Sequence, residues 1–162
     1  MKRFNSAYLE AVAGLVSTSP FFTLVSMEIK ALDPGRSRVE MVVEEKHFNP
    51  FRMVHGGVYP SLVDAAAFWA VYAQIEEDVG LTTVELKLNY LAPASKGHLI
   101  ATGRTIKMGK SLCLGEATIE DEQGKLLAYG TETMMIIKDL KIPGIQLPPK
   151  FLEQEQEVIT GT

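Results

Sequence analysis

The chain has 162 residues, of which 46% are hydrophobic and 22% charged, a balance that supports one buried core and excludes a disordered or collagen-like protein. Sixteen Lys and Arg against twenty Asp and Glu give a net charge of -4, so the basic excess of a phosphate-backbone binder is missing and no nucleic acid partner is expected. The single cysteine, Cys113, can form neither an internal disulfide nor a thiolate metal site, and it fits a reducing, cytoplasmic location.

At the N-terminus, Phe4, Ala7, Tyr8, Ala11 and Leu15 recur at helical spacing, and Ser17-Thr18-Ser19-Pro20 stops the run. Asn5, Ser6, Glu10 and Gly14 interrupt any signal-peptide core, so this segment reads as mature protein. Thr23 to Leu32 and Arg36 to Glu44 are rich in β-formers and flank the turn Asp33-Pro34-Gly35, which predicts a hairpin. His47 to Val54 is irregular, because Asn49-Pro50 biases the backbone away from helix.

A second helix is expected from Gly57 or Val58 to about Asp78, with Pro60 tolerated in its first turn. Its longest nonpolar run, Ala65 to Ala73, is far short of the roughly 20 residues a bilayer needs, so it reads as a buried helix and no membrane is expected. Alternation then places Val84, Leu86, Leu88 and Tyr90 on one face of a strand and Thr83, Glu85, Lys87 and Asn89 on the other, ending at Pro93. Three further strands are expected near Gly97 to Lys107, Ser111 to Asp121 and Leu126 to Ile137, joined by hairpin links.

A helix apolar nearly all round must be covered on most sides, so the expected class is α+β, an antiparallel sheet wrapped around a long central helix, with a short N-terminal helix. Residues 1–140 form a single domain in this reading. Residues 141–162, with Pro148-Pro149 and the Glu/Gln-rich Glu153 to Glu157, form an extended or partly disordered tail.

Chemistry concentrates between Asn49 and Asp64. The amides near Gly57 read as free donors at the positive end of a helix dipole, a plausible oxyanion hole, although Gly-Gly alone more often serves a tight turn. Asp64 is the sole acidic residue of the helix's apolar stretch, so it either does chemistry or reaches solvent beside Ser61. His55 alone reads more readily as a histidine that orients the turn.

Together, Asn49, His55-Gly56-Gly57 and Asp64, followed by the strand Thr83 to Pro93, resemble the hot-dog acyl-CoA thioesterase superfamily, and within it the phenylacetate-degradation (phenylacetyl-CoA) branch. The resemblance covers roughly Ser19 to Lys138. It implies an acyl-CoA thioesterase acting on an aromatic or medium-chain acyl group, without cofactor or metal, as a homodimer or dimer of dimers with shared active sites. It implies that the Gly57 amide polarises the thioester carbonyl while Asn49 and His55 hold that carbonyl or the loop. Asp64 would activate water or attack the acyl carbon, and Thr83 would place the water. Gly56, Thr82, Lys110 and Ser111 complete the expected substrate-binding set.

A carboxylate suffices against a thioester because thiolate leaves readily, so no Ser-His-Asp set is required. Gly103 to Ser111 is one residue too long for a P-loop and lies between strands, which excludes nucleotide hydrolysis. None of His47, His55 and His98 has the i, i+4 partner of a helical zinc site. Cys113 reads as packing, and one of Phe68, Trp69 and Tyr72 could line an acyl pocket. Two alternatives remain: a hot-dog enoyl-acyl hydratase or dehydratase, suggested by His47-Phe48, and a non-catalytic acyl-CoA-binding protein.

Overall fold

The computed structural model describes residues 3–153. In chain order it contains β1 (Arg3–Phe4), α1 (Ser6–Ser17), α2 (Pro20–Leu24), β2 (Met27–Asp33), β3 (Arg36–Val42), a 3-10 turn (Glu45–His47), α3 (Val58–Tyr72), β4 (Val79–Tyr90), β5 (His98–Met108), β6 (Leu112–Asp121), β7 (Leu126–Lys138) and β8 (Phe151–Leu152). Strands β2 to β7 form one antiparallel sheet in the order β2-β3-β5-β6-β7-β4. Helix α3 packs against all six strands of this sheet. No helix among the described residues is long and apolar enough to cross a membrane.

Helix α1 starts one residue after Asn5, whose side chain accepts a hydrogen bond from the Ala7 amide at 3.1 Å, satisfying a donor of the first turn. Phe4 therefore precedes the helix, and the buried face is Tyr8, Leu9, Val12 and Val16 rather than the stripe through Phe4, Ala7, Ala11 and Leu15. The strand expected from Thr23 begins only at Met27. Pro20, preset for a first helical turn, starts the short helix α2, and Ser26 leaves it with φ 55°.

Helix α3 is buried on nearly every side through Tyr59, Leu62, Val63, Ala65, Ala66, Ala67, Ala70 and Val71. It ends at Tyr72, well before the expected Asp78. Continuing would place Glu76, Glu77 and Asp78 at the negative end of the helix dipole, where acidic residues are unfavourable.

The helix sits close to the sheet because β5 and β6 carry glycines beneath it. A Cβ on Gly103 would stand 2.1 Å from the Ala66 carbonyl oxygen, and one on Gly115 3.1 Å from that of Ala67. The Ser37 hydroxyl donates to the same Ala66 oxygen at 2.5 Å. Backbone cannot yield as a side-chain tip does, so Gly103→Ala is expected to cost about 3 kcal/mol of stability. Urea unfolding checks this, and a loss below about 1 kcal/mol would contradict the close seating.

Beyond Asp139 the chain runs mostly without regular structure and returns to the N-terminus. Strand β8 pairs with β1 (Arg3 with Leu152, Phe4 with Phe151), and the Asn5 side-chain amide donates to Pro149 O at 2.8 Å. Lys150 is 1% exposed, donates to Tyr72 O at 2.8 Å and lies over the Tyr8 and Tyr72 rings. Burial pushes its pKa down to about 8. Residues 154–162 of the expected tail lie outside the described residues.

Candidate active site

Two groups of polar residues lie at different heights along α3. The first is a loop at the helix N-terminus. Asn49 Oδ1 accepts hydrogen bonds from the Phe51 and Met53 amides at 2.9 and 3.2 Å, which folds the segment that the Asn49-Pro50 dipeptide keeps out of helix. The Val58 amide then donates to His55 O, and the Gly57 amide to His55 Nδ1, both at 2.9 Å. The Gly57 amide is thus not unpartnered, as the sequence reading had it: with no side chain at Gly56, the His55 ring folds back over it. Tyr90 at the end of β4 donates its hydroxyl to Gly56 O at 2.8 Å and ties this turn to the sheet.

Cavities open on two sides of the loop. One, of about 230 Å³, is lined by Phe21, Val25, Met27, Met41, His55 and Gly57 among others. The other, of about 290 Å³, is lined by Asn49, Met53, Gly56, Tyr59 and Tyr90 among others. Asn49 therefore faces a different cavity from His55 and Gly57.

The second group lies two helical turns on. Thr83 Oγ1 stands 3.2 Å from Asp64 Oδ1 and 2.5 Å from Glu132 Oε1. Asp64 is half-buried, and burial raises its pKa against the opposing hydrogen bonds of Thr83 and Glu132. Glu132 is 0% exposed. Burial first, and then the negative charge of Asp64, push its pKa up to about 8.

A bulge in β4 builds this cluster. Thr83 pairs with Met134 and Glu85 with Thr133, so Val84 is the extra residue and is 51% exposed. Side chains alternate with period two, so one inserted residue exchanges the faces before it. The expected alternation is therefore corrected: Val84 leaves the face of Leu86 and Leu88, and Thr83 joins it, within reach of α3.

The comparisons with known proteins bear on the family and the fold. Residues 51–128 match the model of the family described as "Thioesterase superfamily". A 1,4-dihydroxy-2-naphthoyl-CoA hydrolase of Listeria monocytogenes is 34% identical over 117 residues, covering 72% of this chain and 95% of that protein. The chain belongs to the thioesterase superfamily. Its fold is the hot-dog fold, and it is a thioester hydrolase. The crystal structure of a Haemophilus influenzae thioesterase superposes with a TM-score of 0.75 at 26% identity, over 82% of this chain and 92% of that one. The PaaI protein from the phenylacetic acid degradation operon of E. coli shares the fold with a TM-score of 0.76 at 20% identity, over 85% of this chain and 98% of that one.

In this thioesterase the residues singled out in the sequence fall into three places. Asp64 and Thr83 meet. Asn49, His55, Gly56 and Gly57 share the loop at the helix start. Thr82 and Thr83 are both exposed, and Lys110 and Ser111 are exposed in the turn between β5 and β6. That turn precedes Leu112, which pairs with Met135, itself paired with Thr82. Lys110 and Ser111 thus lie at the Thr82 end of the sheet, about two strand spacings (~10 Å) away, and line neither cavity. Phe68, Trp69 and Tyr72 pack on one another and also line neither. Cys113 is buried in the core, as expected.

His47, which suggested a hydratase, has both ring nitrogens engaged by backbone: Nδ1 accepts from the Glu44 amide at 2.9 Å, and Nε2 lies 3.0 Å from Val25 O, positioned to donate. It caps a turn and has no nitrogen left for acid-base work.

The sequence reading missed Glu132. A signal was present, because Ala128, Gly130, Glu132 and Met134 alternate inward along β7 and Glu132 alone among them is charged. Such a residue on the core face needs a partner or a proton.

Proposed function

We propose that this thioesterase hydrolyses the thioester of an aromatic or medium-chain acyl-CoA, as in the phenylacetate-degradation branch, at a site completed by a second copy of the chain. The observation that carries the shared site is the spacing along α3. Gly57 and Asp64 are seven residues apart on one rigid helix, or about 10 Å along its axis. A carbonyl oxygen held by that amide and a carbon approached by that carboxylate cannot belong to one acyl group unless the two come from different copies. Strand β4 supports the pairing: it ends the sheet order, runs for 12 residues, and its outer edge is unpaired among the described residues. Such an edge is a template for another strand.

In the assembled site the carbonyl oxygen replaces His55 Nδ1 on the Gly57 amide, at the helix N-terminus where the negative charge of the tetrahedral intermediate develops. Asn49 keeps the loop in place through its two backbone hydrogen bonds. Ionised Asp64 of the other copy acts at the acyl carbon by one of two routes. As a base it takes a proton from water while the water oxygen bonds to carbon; as a nucleophile it forms a mixed anhydride that water then opens. In both, the carbon–sulfur bond breaks and the thiolate leaves with the electron pair. Label on Asp64 after a single turnover in ¹⁸O-water establishes the second route, with the anhydride opened at the Asp64 carbonyl carbon, because base catalysis labels the product acid alone.

The cavity beside Gly57 supports the acyl class. An apolar cavity of about 150 Å³ holds benzene, so about 230 Å³, lined by Phe21, Val25, Met27 and Met41 together with Lys46, His47 and Ser61, has room for one aromatic ring or a medium-length chain. A relative that hydrolyses an aromatic acyl-CoA supports the same reading.

Two experiments test the proposal. A panel running from acetyl-CoA through phenylacetyl-CoA and octanoyl-CoA, read with a thiol reagent, is expected to release CoA fastest for the aromatic or medium-chain members. No release above background for any member overturns the function. Mixing subunits of Asp64→Asn and Gly57→Pro, each inactive alone, is expected to restore about a quarter of wild-type activity, because half the dimers are mixed and each carries one intact site. No recovery in a demonstrated mixed dimer overturns the shared site.

A further inference from the structure

The Thr83 hydroxyl has one hydrogen, yet its oxygen is within hydrogen-bond distance of two carboxyl groups. If Asp64 and Glu132 were both ionised, one of the two contacts would have no hydrogen, and two anions would adjoin with one of them, Glu132, wholly enclosed. Among the described residues no cation relieves them: the groups acting on either carboxyl are Thr83 and the other carboxyl. From α3 the titratable group facing Glu132 is Asp64. From β4 come Thr83 and Leu86, and from β6 the register partner is Gly115; none of these titrates.

One carboxyl therefore holds a proton, and burial decides which. Glu132 is wholly enclosed, whereas Asp64 is half-open, and the enclosed group loses more by ionising. A proton on Glu132 Oε1 gives both Thr83 contacts a hydrogen: Glu132 donates to Thr83, and Thr83 donates to Asp64. The shorter of the two contacts, 2.5 Å, is then the carboxylic acid to hydroxyl bond. Glu132 Oε2, which meets no N–H or O–H donor among the described residues, is then a neutral carbonyl oxygen, for which being unpartnered is cheap.

We propose that Glu132 is a positioning residue that stays protonated and, through Thr83, holds the Asp64 carboxylate ionised and correctly aimed. The inference rests on the reading of Asp64 above. Glu132 touches neither substrate nor water and gives up no proton during turnover. Loss of its proton at alkaline pH reverses the chain, because Thr83 then donates to Glu132 and Asp64 loses its donor while gaining a neighbouring anion. The direction in which burial and Asp64 push the Glu132 pKa agrees with this.

Glu132→Gln keeps the shape, the neutrality and a donor for Thr83. With phenylacetyl-CoA and octanoyl-CoA as substrates, this variant is expected to keep kcat within about threefold of wild type at pH 7 and to lack the fall in kcat expected of wild type above about pH 8. Glu132→Ala is expected to lower kcat at least about tenfold with KM little changed. A Gln variant as inactive as Asp64→Asn, or one with the wild-type alkaline limb, overturns the proposal.

A second readout does not depend on hydrolysis. A carboxyl whose folded pKa exceeds its unfolded value contributes stability that is complete below the unfolded value and is lost as pH rises through the folded one. The melting temperature of wild type is therefore expected to fall between about pH 5 and 9 more steeply than that of Glu132→Gln. Parallel curves refute a protonated Glu132 even if the thioesterase reading stands. Diverging curves sustain it even if the acyl panel fails.

Discussion

Replacing Asp64 with Asn is expected to lower kcat by about a thousandfold, with KM changed little. The amide cannot take a proton from water or attack a carbonyl, but its oxygen can still accept the Thr83 hydroxyl that now meets Oδ1, so the helix and strand should stay in register. The variant is also expected to be the more stable protein at neutral pH. Burial raises the Asp64 pKa, so the ionised group costs stability that is lost as pH rises through the folded value. Asn carries no such cost, and the gain should vanish in acid, where Asp64 is protonated. Steady-state kinetics and melting curves across pH check both halves. Activity within about tenfold of wild type would remove Asp64 from the chemistry.

Gly57→Pro is expected to cost about 10²- to 10³-fold in kcat, the usual consequence of deleting one oxyanion donor. Proline suits the position because the φ of Gly57 is -70°, close to the value its ring imposes, and the preceding Gly56 is the residue least hindered by a following proline. The substitution removes one N–H from the start of a helix that already tolerates Pro60. His55 Nδ1 loses the donor it now has at 2.9 Å and is left free to turn to solvent. Gly57→Ala serves as the control, since it keeps the N–H and its Cβ would meet His55 Nδ1 at 3.1 Å. If proline and alanine variants lose activity equally, the effect is steric and the amide is not the donor.

The parts of this fold that were legible in the sequence are those decided locally. β5, β6 and β7 fall within a residue or so of the expected bounds, because alternating strands joined by short turns carry their own signal. The start of α3 was legible from Gly-Gly and Pro60 for the same reason.

What was not legible depends on contacts between distant segments. The bulge at Val84 leaves no trace in an alternating run, yet it decides whether Thr83 faces the helix or the solvent. Glu132 becomes part of the site only because β7 lies beside β4 and beneath α3. The Gly57 amide looked free because nothing in the sequence shows that the His55 ring folds back on it. Motif spacing thus located Asp64 and Gly57, while the protonation and partners of the site emerged only from packing.

The return of the chain end to β1 bears on the order in which the molecule assembles and on where it first gives way. The hydrogen bond from Asn5 to Pro149 joins residues 144 apart in sequence, and such closure costs the most chain entropy until the rest of the sheet has brought the ends together. It should form last and open first, before any strand of the main sheet separates. Opening also releases Lys150 to water. A lysine whose folded pKa is lowered from 10.5 to about 8 favours the closed state only while it is neutral, so the clasp should open more readily as pH falls from about 10.5 to about 8 and change little below that. Hydrogen exchange at the Asn5 amide, which donates to Lys150 O at 3.0 Å, is expected to show lower protection than amides of β6. The gap should widen as pH falls between about 10.5 and 8 while the active-site strands keep their protection.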